Sequence, residues 1–172
     1  ITAYSKFNDV VSQSVTSAFT FGGVDINSFS YDTYSTEVTN GAVASTGGVY
    51  GESGKMTAQT DGKVQYVPLW RDDNKSFCVS PDDGALWSEN SGFTYKVSTA
   101  GYDNVSFTCK AYTTAQGPKS VTLQYSTDGS TFYNVQSNVA LTANATLEQL
   151  FMTVSLPSAC NNQKALYIRL AT

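Results

Sequence analysis

Histidine is absent from the 172-residue chain. This absence excludes Ser-His-Asp and Cys-His catalysis and histidine-ligated zinc sites, because each needs an imidazole as a base or as a ligand. An enzyme that uses paired carboxylates stays open. The adjacent pairs Asp72-Asp73 and Asp82-Asp83 are interpreted as turn formers, because neighbouring side chains seldom converge on one substrate. The alternative for both pairs is a calcium site, since Ca²⁺ binds clustered carboxylates.

Charged residues are also few. They make up 14% of the sequence, and the net charge is −4 without a cluster of Lys and Arg. Nucleic acids and anionic membrane surfaces are therefore not expected as partners. No apolar run reaches membrane-spanning length, so we expect no membrane insertion. Because the chain begins with Ile1 rather than Met, we expect that a signal peptide has been removed or that the chain belongs to a larger multidomain protein.

The three cysteines, Cys78, Cys109 and Cys160, lack the C-x-x-C spacing of zinc and redox sites. Cys109 alternates with Val105 and Phe107, which predicts that it lies in the core as a small apolar side chain. Two alternatives stay open: one disulfide with one unpaired thiol, or three free thiols. The sequence does not decide between them, because only the distances between the cysteines show which of them can pair.

Aromatic residues are abundant, with 11 Tyr, 9 Phe and 2 Trp in a sequence rich in Ser, Thr, Gly and Asn. This composition is typical of extracellular β-proteins. The clearest pair of strands is VTLQYSTDGSTFYNV, residues 121–135, whose first half alternates apolar and polar residues. Asp128-Gly129 predicts a tight primed turn between the two strands. In the returning strand, either Phe132 or Tyr133 faces inward.

The same alternation recurs in several other stretches. Pro68, inside residues 64–70, predicts an edge strand or a strand end, since proline has no amide hydrogen to donate to a neighbouring strand. Residues 39–62 are rich in glycine turns and are expected to be loops that join short strands. Together these features predict a single all-β domain over residues 1–172, an antiparallel β-sandwich or jelly roll. The other alternating stretches are residues 93–97, 105–111, 152–156 and 166–170, the last with Tyr167 and Arg169 on its opposite face.

Four stretches follow one another in the second half as FTYKVST (93–99), GYDNV (101–105), LQYSTDG (123–129) and LYIRL (166–170). In this order they resemble carbohydrate-binding modules with a jelly-roll, galactose-binding-like fold, which belong to secreted polysaccharide-degrading or surface proteins of gut and rumen bacteria. The resemblance covers residues 93–170 and implies the fold more than the ligand. Members of this class continue into a further strand that bears acidic residues. We therefore expect that the chain is part of a longer protein or that a strand from its first half completes the sheet.

The resemblance implies a non-catalytic module that anchors a secreted, extracellular or cell-surface protein to a plant cell-wall or storage polysaccharide through aromatic platforms. It implies no enzyme activity and no cofactor, with structural calcium as the open exception. The low positive charge weakly disfavours anionic pectin as the ligand. The alternative function is a structural or adhesive β-sandwich domain that mediates protein–protein or cell-surface contacts.

Carbohydrate recognition uses flat aromatic faces that stack on sugar rings and polar side chains that bind hydroxyl groups. Trp70 and Trp87 each border a turn and, with Tyr66 and Arg71 near Trp70 in the sequence, form the first candidate site. Tryptophans buried in the core are the alternative interpretation. The second candidate site is the outward face of a central sheet, if the strands concerned are neighbours. It comprises Lys110, Tyr112 and Gln124, with Thr108, Thr122 and Ser126 on the same face.

Overall fold

A computed structural model describes residues 17–21, 23–29, 38–39, 42–59, 65–71, 74–80, 92–111, 118–141 and 152–172. These residues form strands and two short 3-10 turns, which confirms the all-β prediction. No helix in them is long and apolar enough to cross a membrane. The strands are β1 (Ser17–Phe21), β2 (Val24–Phe29), β3 (Val38–Thr39), β4 (Val43–Ala44), β5 (Lys55–Gln59), β6 (Gln65–Arg71), β7 (Asn74–Ser80), β8 (Gly92–Val97), β9 (Ser106–Cys109), β10 (Ser120–Ser126), β11 (Tyr133–Ala140), β12 (Met152–Ser155) and β13 (Leu166–Ala171).

The described strands pair into three antiparallel sheets. The four-stranded sheet has the order β12-β9-β1-β2, the six-stranded sheet β11-β10-β13-β8-β5-β4, and the three-stranded sheet β3-β6-β7. Strand β5, from the first half of the chain, pairs with β8 along its whole length. The first half therefore contributes strands to the sheet that contains most of the stretches behind the resemblance.

One cluster of buried side chains receives residues from both larger sheets. The ring of Tyr95, on β8, lies with its centroid 5.2 Å from that of Phe29 on β2 and 5.7 Å from that of Phe107 on β9. Such a shared core is what two packed sheets require. The finer assignment to a sandwich or jelly roll stays a prediction. The members that the alternation predicted include Tyr95, Val97, Val105, Phe107, Leu123, Met152, Leu166, Ile168 and Leu170.

Two of the cysteines are buried free thiols. Cys109 packs in the core as predicted, and Cys160 is buried in the 3-10 turn Ser158–Cys160. Burial raises the pKa of both thiols, that of Cys160 to about 12, because a thiolate is poorly solvated there. Since both are free, neither forms a disulfide with Cys78, and the alternative with one disulfide is wrong.

Part of the loop-rich region packs along β2. Within it, the Ser28 amide donates to the Gly47 carbonyl at 2.9 Å, and the Tyr50 amide donates to the Ile26 carbonyl at 3.0 Å. The buried Asn27 amide donates to the Ser45 hydroxyl at 3.2 Å. This segment is therefore a fixed connection between β2 of the four-stranded sheet and β4 and β5 of the six-stranded sheet.

The hairpin of β10 and β11 forms as predicted, but its turn is longer than a primed two-residue turn, since residues 127–132 separate the strands. Gly129 takes a φ of 79°, as the Asp-Gly signal requires. The Asp128 carboxylate accepts the amides of Ser130 at 2.7 Å and Thr131 at 2.8 Å. Ser126 accepts the Gly129 amide at 2.9 Å and is fully buried under this loop. The prediction that Ser126 points outward is therefore wrong.

The hydrogen bonds to Asp128 make the hairpin loop sensitive to acid. They favour the carboxylate and hold the pKa of Asp128 well below its usual range, which is about 3.9 in an unfolded chain. Asp128 therefore stabilises the fold above pH 4 or so, and this contribution is lost as the pH falls through the lower, folded pKa. We expect Asp128→Asn to unfold at a lower temperature than the wild type at pH 7, and the difference to shrink as the pH falls toward 2.

Thermal unfolding followed by circular dichroism between pH 7 and pH 2 measures this effect. Asp103 provides the control, because it is exposed and forms no hydrogen bond with its side chain to another described residue. Asp103→Asn should leave the unfolding temperature at pH 7 unchanged. A constant difference between Asp128→Asn and the wild type over the whole pH range would contradict the prediction.

Candidate functional site

The first candidate site falls partly on β6. Tyr66, Trp70 and Arg71 all belong to this strand. Strand β7 pairs with β6 along its whole length, with Phe77 opposite Pro68. On the other side of β6, strand β3 pairs only with Gln65 and Tyr66, so no described strand lies beside Pro68 there, as expected for a residue without an amide hydrogen. Trp87 lies outside the described residues. The sugar-binding role of these four residues stays a prediction.

The structure does not bring the residues of the second candidate site together. Thr108 lies on β9 and Lys110 directly follows it, and β9 pairs with β12 and β1. Gln124 lies on β10, which pairs with β11 and β13 in the other sheet. The proposed common face is therefore wrong, because the chain changes sheets between β9 and β10. Tyr112 lies outside the described residues.

Gln124 belongs instead to a line of polar residues across the six-stranded sheet, here called the polar row. Its strand neighbour Leu123 is buried in the core, as are Ile168 and Leu170 beside Arg169, so the row lies on the face away from the core, here called the outer face. With strands about 4.8 Å apart, a row over five strands is about 19 Å long. In register, the polar row consists of Asn134, Gln124, Arg169, Thr94 and Thr57.

A chain of hydrogen bonds orients the side chains at one end of the polar row. Arg169 donates from Nε to Oε1 of Gln124 at 2.8 Å, and Gln124 donates from Nε2 to Oδ1 of Asn134 at 2.9 Å. Asn134 donates in turn from Nδ2 to the Ser137 hydroxyl at 3.3 Å. Each amide is thereby held with a defined oxygen and a defined NH₂ group, which reduces the entropy cost of binding a ligand.

An aromatic ring covers the arginine of the polar row. The guanidinium carbon of Arg169 lies 3.7 Å from the ring centroid of Phe132, which precedes β11. Partial burial lowers the pKa of Arg169, yet the group stays protonated at neutral pH because its ordinary value is above 12. Its Nη groups donate no hydrogen bond to another described residue. Tyr133, the next residue in the sequence, does not cover Arg169 but lies beside Tyr125, with their ring centroids 5.5 Å apart, and its side chain is 55% exposed.

A second line of residues runs beside the polar row on the same face, here called the lysine row. It contains Tyr167 on β13, Lys96 on β8 and Lys55 on β5, in direct register. The ammonium nitrogen of Lys96 lies 5.5 Å from the Tyr167 ring centroid. The hairpin loop closes over the same ring, because a Cβ atom at Gly129 would lie only 2.9 Å from Cζ of Tyr167.

Most members of this site carry no signal in the sequence. The alternation places Arg169 on the solvent side of the last strand but says nothing about its neighbours. Only the pairing of β10 with β13 brings Arg169 to Gln124, which is 45 residues away. Phe132 also belongs to the site only through the fold, because it lies in the loop and stacks on a side chain of another strand.

Comparison with protein-family models, with curated proteins and with solved structures finds no match for this chain. Among the described residues, no group of three or more Cys, Asp and Glu side chains is placed so that it could hold a metal ion. The candidate calcium ligands Asp72-Asp73 and Asp82-Asp83 lie outside the described residues, so the calcium site stays a prediction.

Proposed function

We propose that the chain is a non-catalytic carbohydrate-binding module of a secreted bacterial protein and that the polar row is its ligand-binding face. The observation that carries this proposal is the oriented group of Arg169, Gln124 and Asn134 beside Phe132. Sugar hydroxyl groups both donate and accept hydrogen bonds, and carboxamides offer both functions. A face built from such groups needs no catalytic residue to hold a polysaccharide.

The shape of the polar row also favours a polymeric ligand. Its residues lie on five neighbouring strands of one sheet, so they follow a line rather than surround a pocket. An extended polysaccharide lying across the strands would contact one side chain per strand. The partly buried ring of Phe132 lies on this face and provides apolar contact for a sugar ring.

Affinity electrophoresis in native gels that contain starch, β-glucan, xylan or pectin tests the proposal. We expect one class of polysaccharide to retard the wild type, and Gln124→Ala to weaken this binding about tenfold, because Arg169 and Asn134 lose their common partner. Thr153→Ala is the matched control. Thr153 is exposed and accepts a cross-strand hydrogen bond from Thr108 at 3.2 Å, but on the four-stranded sheet, so its loss should leave retardation unchanged.

The same gels separate the competing interpretations. Retardation that Trp70→Ala and Trp87→Ala abolish but Gln124→Ala preserves would move the binding site from the polar row to the tryptophans. Absence of retardation by every polysaccharide, with and without calcium, would contradict carbohydrate binding and favour the structural or adhesive alternative.

A further inference from the structure

The charge of the six-stranded sheet is opposite in sign to that of the whole chain. The chain has 14 acidic and 10 basic residues, a net charge of −4. The six strands of this sheet nevertheless contain three basic residues, Lys55, Lys96 and Arg169, and no Asp or Glu. The fold therefore gathers positive charge on a sheet of an acidic protein.

All three basic residues lie on the outer face. Lys55 and Lys96 are exposed and directly opposite each other on β5 and β8, and their strand neighbours Met56, Tyr95 and Val97 are buried. Arg169 lies two positions along β13 from Tyr167, the register partner of Lys96. None of the three forms an ion pair with a described residue.

This arrangement has an electrostatic cost in the free protein. Like charges directly opposite on neighbouring strands destabilise a sheet, and here no acidic residue of the same strands offsets the repulsion between Lys55 and Lys96. An anionic ligand on the outer face would remove that repulsion and gain attraction from all three cations. The charges thus complement a ligand of negative charge.

We propose that the ligand of the outer face is a uronic-acid polysaccharide and that Arg169 binds a uronate carboxylate. This inference rests on the proposed function and names the chemical class of its ligand. The Nε edge of Arg169 is occupied by Gln124, and its face is covered by Phe132. The Nη edge remains, and its two parallel N–H groups match the two oxygens of a carboxylate.

The neighbours of Arg169 favour a uronate over a more densely charged polymer. Gln124, Asn134 and Thr94 present neutral polar groups, which suit the hydroxyl groups of the same sugar chain rather than further anionic groups. The overall negative charge of the protein repels a polymer such as a polysulfate or a nucleic acid. The low positive charge of the sequence weakly disfavoured an anionic polysaccharide as the ligand. The placement of the three cations on the outer face favours such a ligand instead.

The test compares polygalacturonate with its fully methyl-esterified form, which has the same backbone without the charge. Biolayer interferometry on the two immobilised polymers should show binding to polygalacturonate at least tenfold tighter than to the ester. Arg169→Gln should reduce polygalacturonate binding about tenfold or more, and Arg169→Lys should restore part of it. Lys164→Gln is the matched control, since it removes the same charge from an exposed residue outside the six strands.

The outcomes distinguish this inference from the proposed function. Equal binding to both polymers would overturn the uronate ligand and leave carbohydrate binding standing, whereas absence of binding to these and to all neutral polysaccharides would contradict both. Equal losses in Arg169→Gln and Lys164→Gln, or equally tight binding to dextran sulfate or to an oligothymidylate, would reveal a general polyanion surface and overturn the inference. Lys55→Gln with Lys96→Gln, both at exposed positions, provides a second test if Arg169→Gln fails to fold.

Discussion

Replacing Phe107 with alanine should lower the free energy of unfolding by about 3–5 kcal/mol. Phe107 is fully buried on β9, which pairs with β1 on one side and with β12 on the other. Its ring lies 5.7 Å from that of Tyr95, on the six-stranded sheet, so it fills space between side chains of the two sheets. Alanine leaves a cavity there, because close-packed strands on both sides prevent collapse of the site.

Urea denaturation followed by tyrosine and tryptophan fluorescence measures the loss. Phe132→Ala is the matched control, because it removes the same side chain from the outer face, where water replaces the ring. Phe132 is only partly buried, and its loss should cost less than about 2 kcal/mol, the sum of its apolar contact and its cation–π contact with Arg169. Similar losses in both variants would contradict the assignment of Phe107 to the core between the sheets.

Gly92→Ala should destabilise the protein by at least about 2 kcal/mol, because a methyl group has no room at this position. Gly92 begins β8 and pairs with Ala171 of β13 and with Gln59 of β5. A Cβ atom there would lie 1.8 Å from the carbonyl oxygen of Leu170, a backbone atom that cannot turn aside. The strands β8 and β13 would have to separate at this point, with the loss of ladder hydrogen bonds.

Gly101→Ala is the control for the backbone contribution. Gly101 has a φ of 77°, and a Cβ atom there would meet no atom within 4 Å. Gly101→Ala should therefore lower the free energy of unfolding by only about 1–2 kcal/mol, because an alanine disfavours the left-handed backbone conformation. Chemical denaturation of both variants gives the two losses. A Gly92→Ala loss no greater than that of Gly101→Ala would contradict the close approach of Gly92 to the Leu170 carbonyl.

Both variants also bear on the proposed ligand face. Gly92 lies at the end of β8 that pairs with the strand of Arg169, so a separation of β8 from β13 would displace the guanidinium from the polar row. Phe107 is buried in the core, whereas the polar row lies on the face of the six-stranded sheet away from the core. A Phe107→Ala protein that remains folded should thus keep its affinity for polysaccharide, and a folded Gly92→Ala protein should lose part of it.

Local patterns were sufficient to predict the strands and the core. The alternation of apolar and polar residues along β8, β10 and β13 identified their buried faces, and Asp128-Gly129 identified the hairpin. These predictions hold because a strand has a period of two, so each residue's face follows from its own neighbours in the sequence. The predicted tight turn of the hairpin was wrong, because the turn also depends on the hydrogen bonds of Asp128 with residues beyond the Asp-Gly pair.

The residues of the candidate site could not be predicted from local sequence patterns. Gln124 was selected, but its expected neighbour Lys110 belongs next to the other sheet, and its actual partner Arg169 lies 45 residues further along the chain. Likewise, Lys55 and Lys96 are distant in the sequence and form one positive surface only because β5 pairs with β8. The residues along one strand establish which side faces water, whereas the order of strands in a sheet results from long-range contacts among all of them. The ligand face consists of side chains from different strands, so it exists only after those strands have paired.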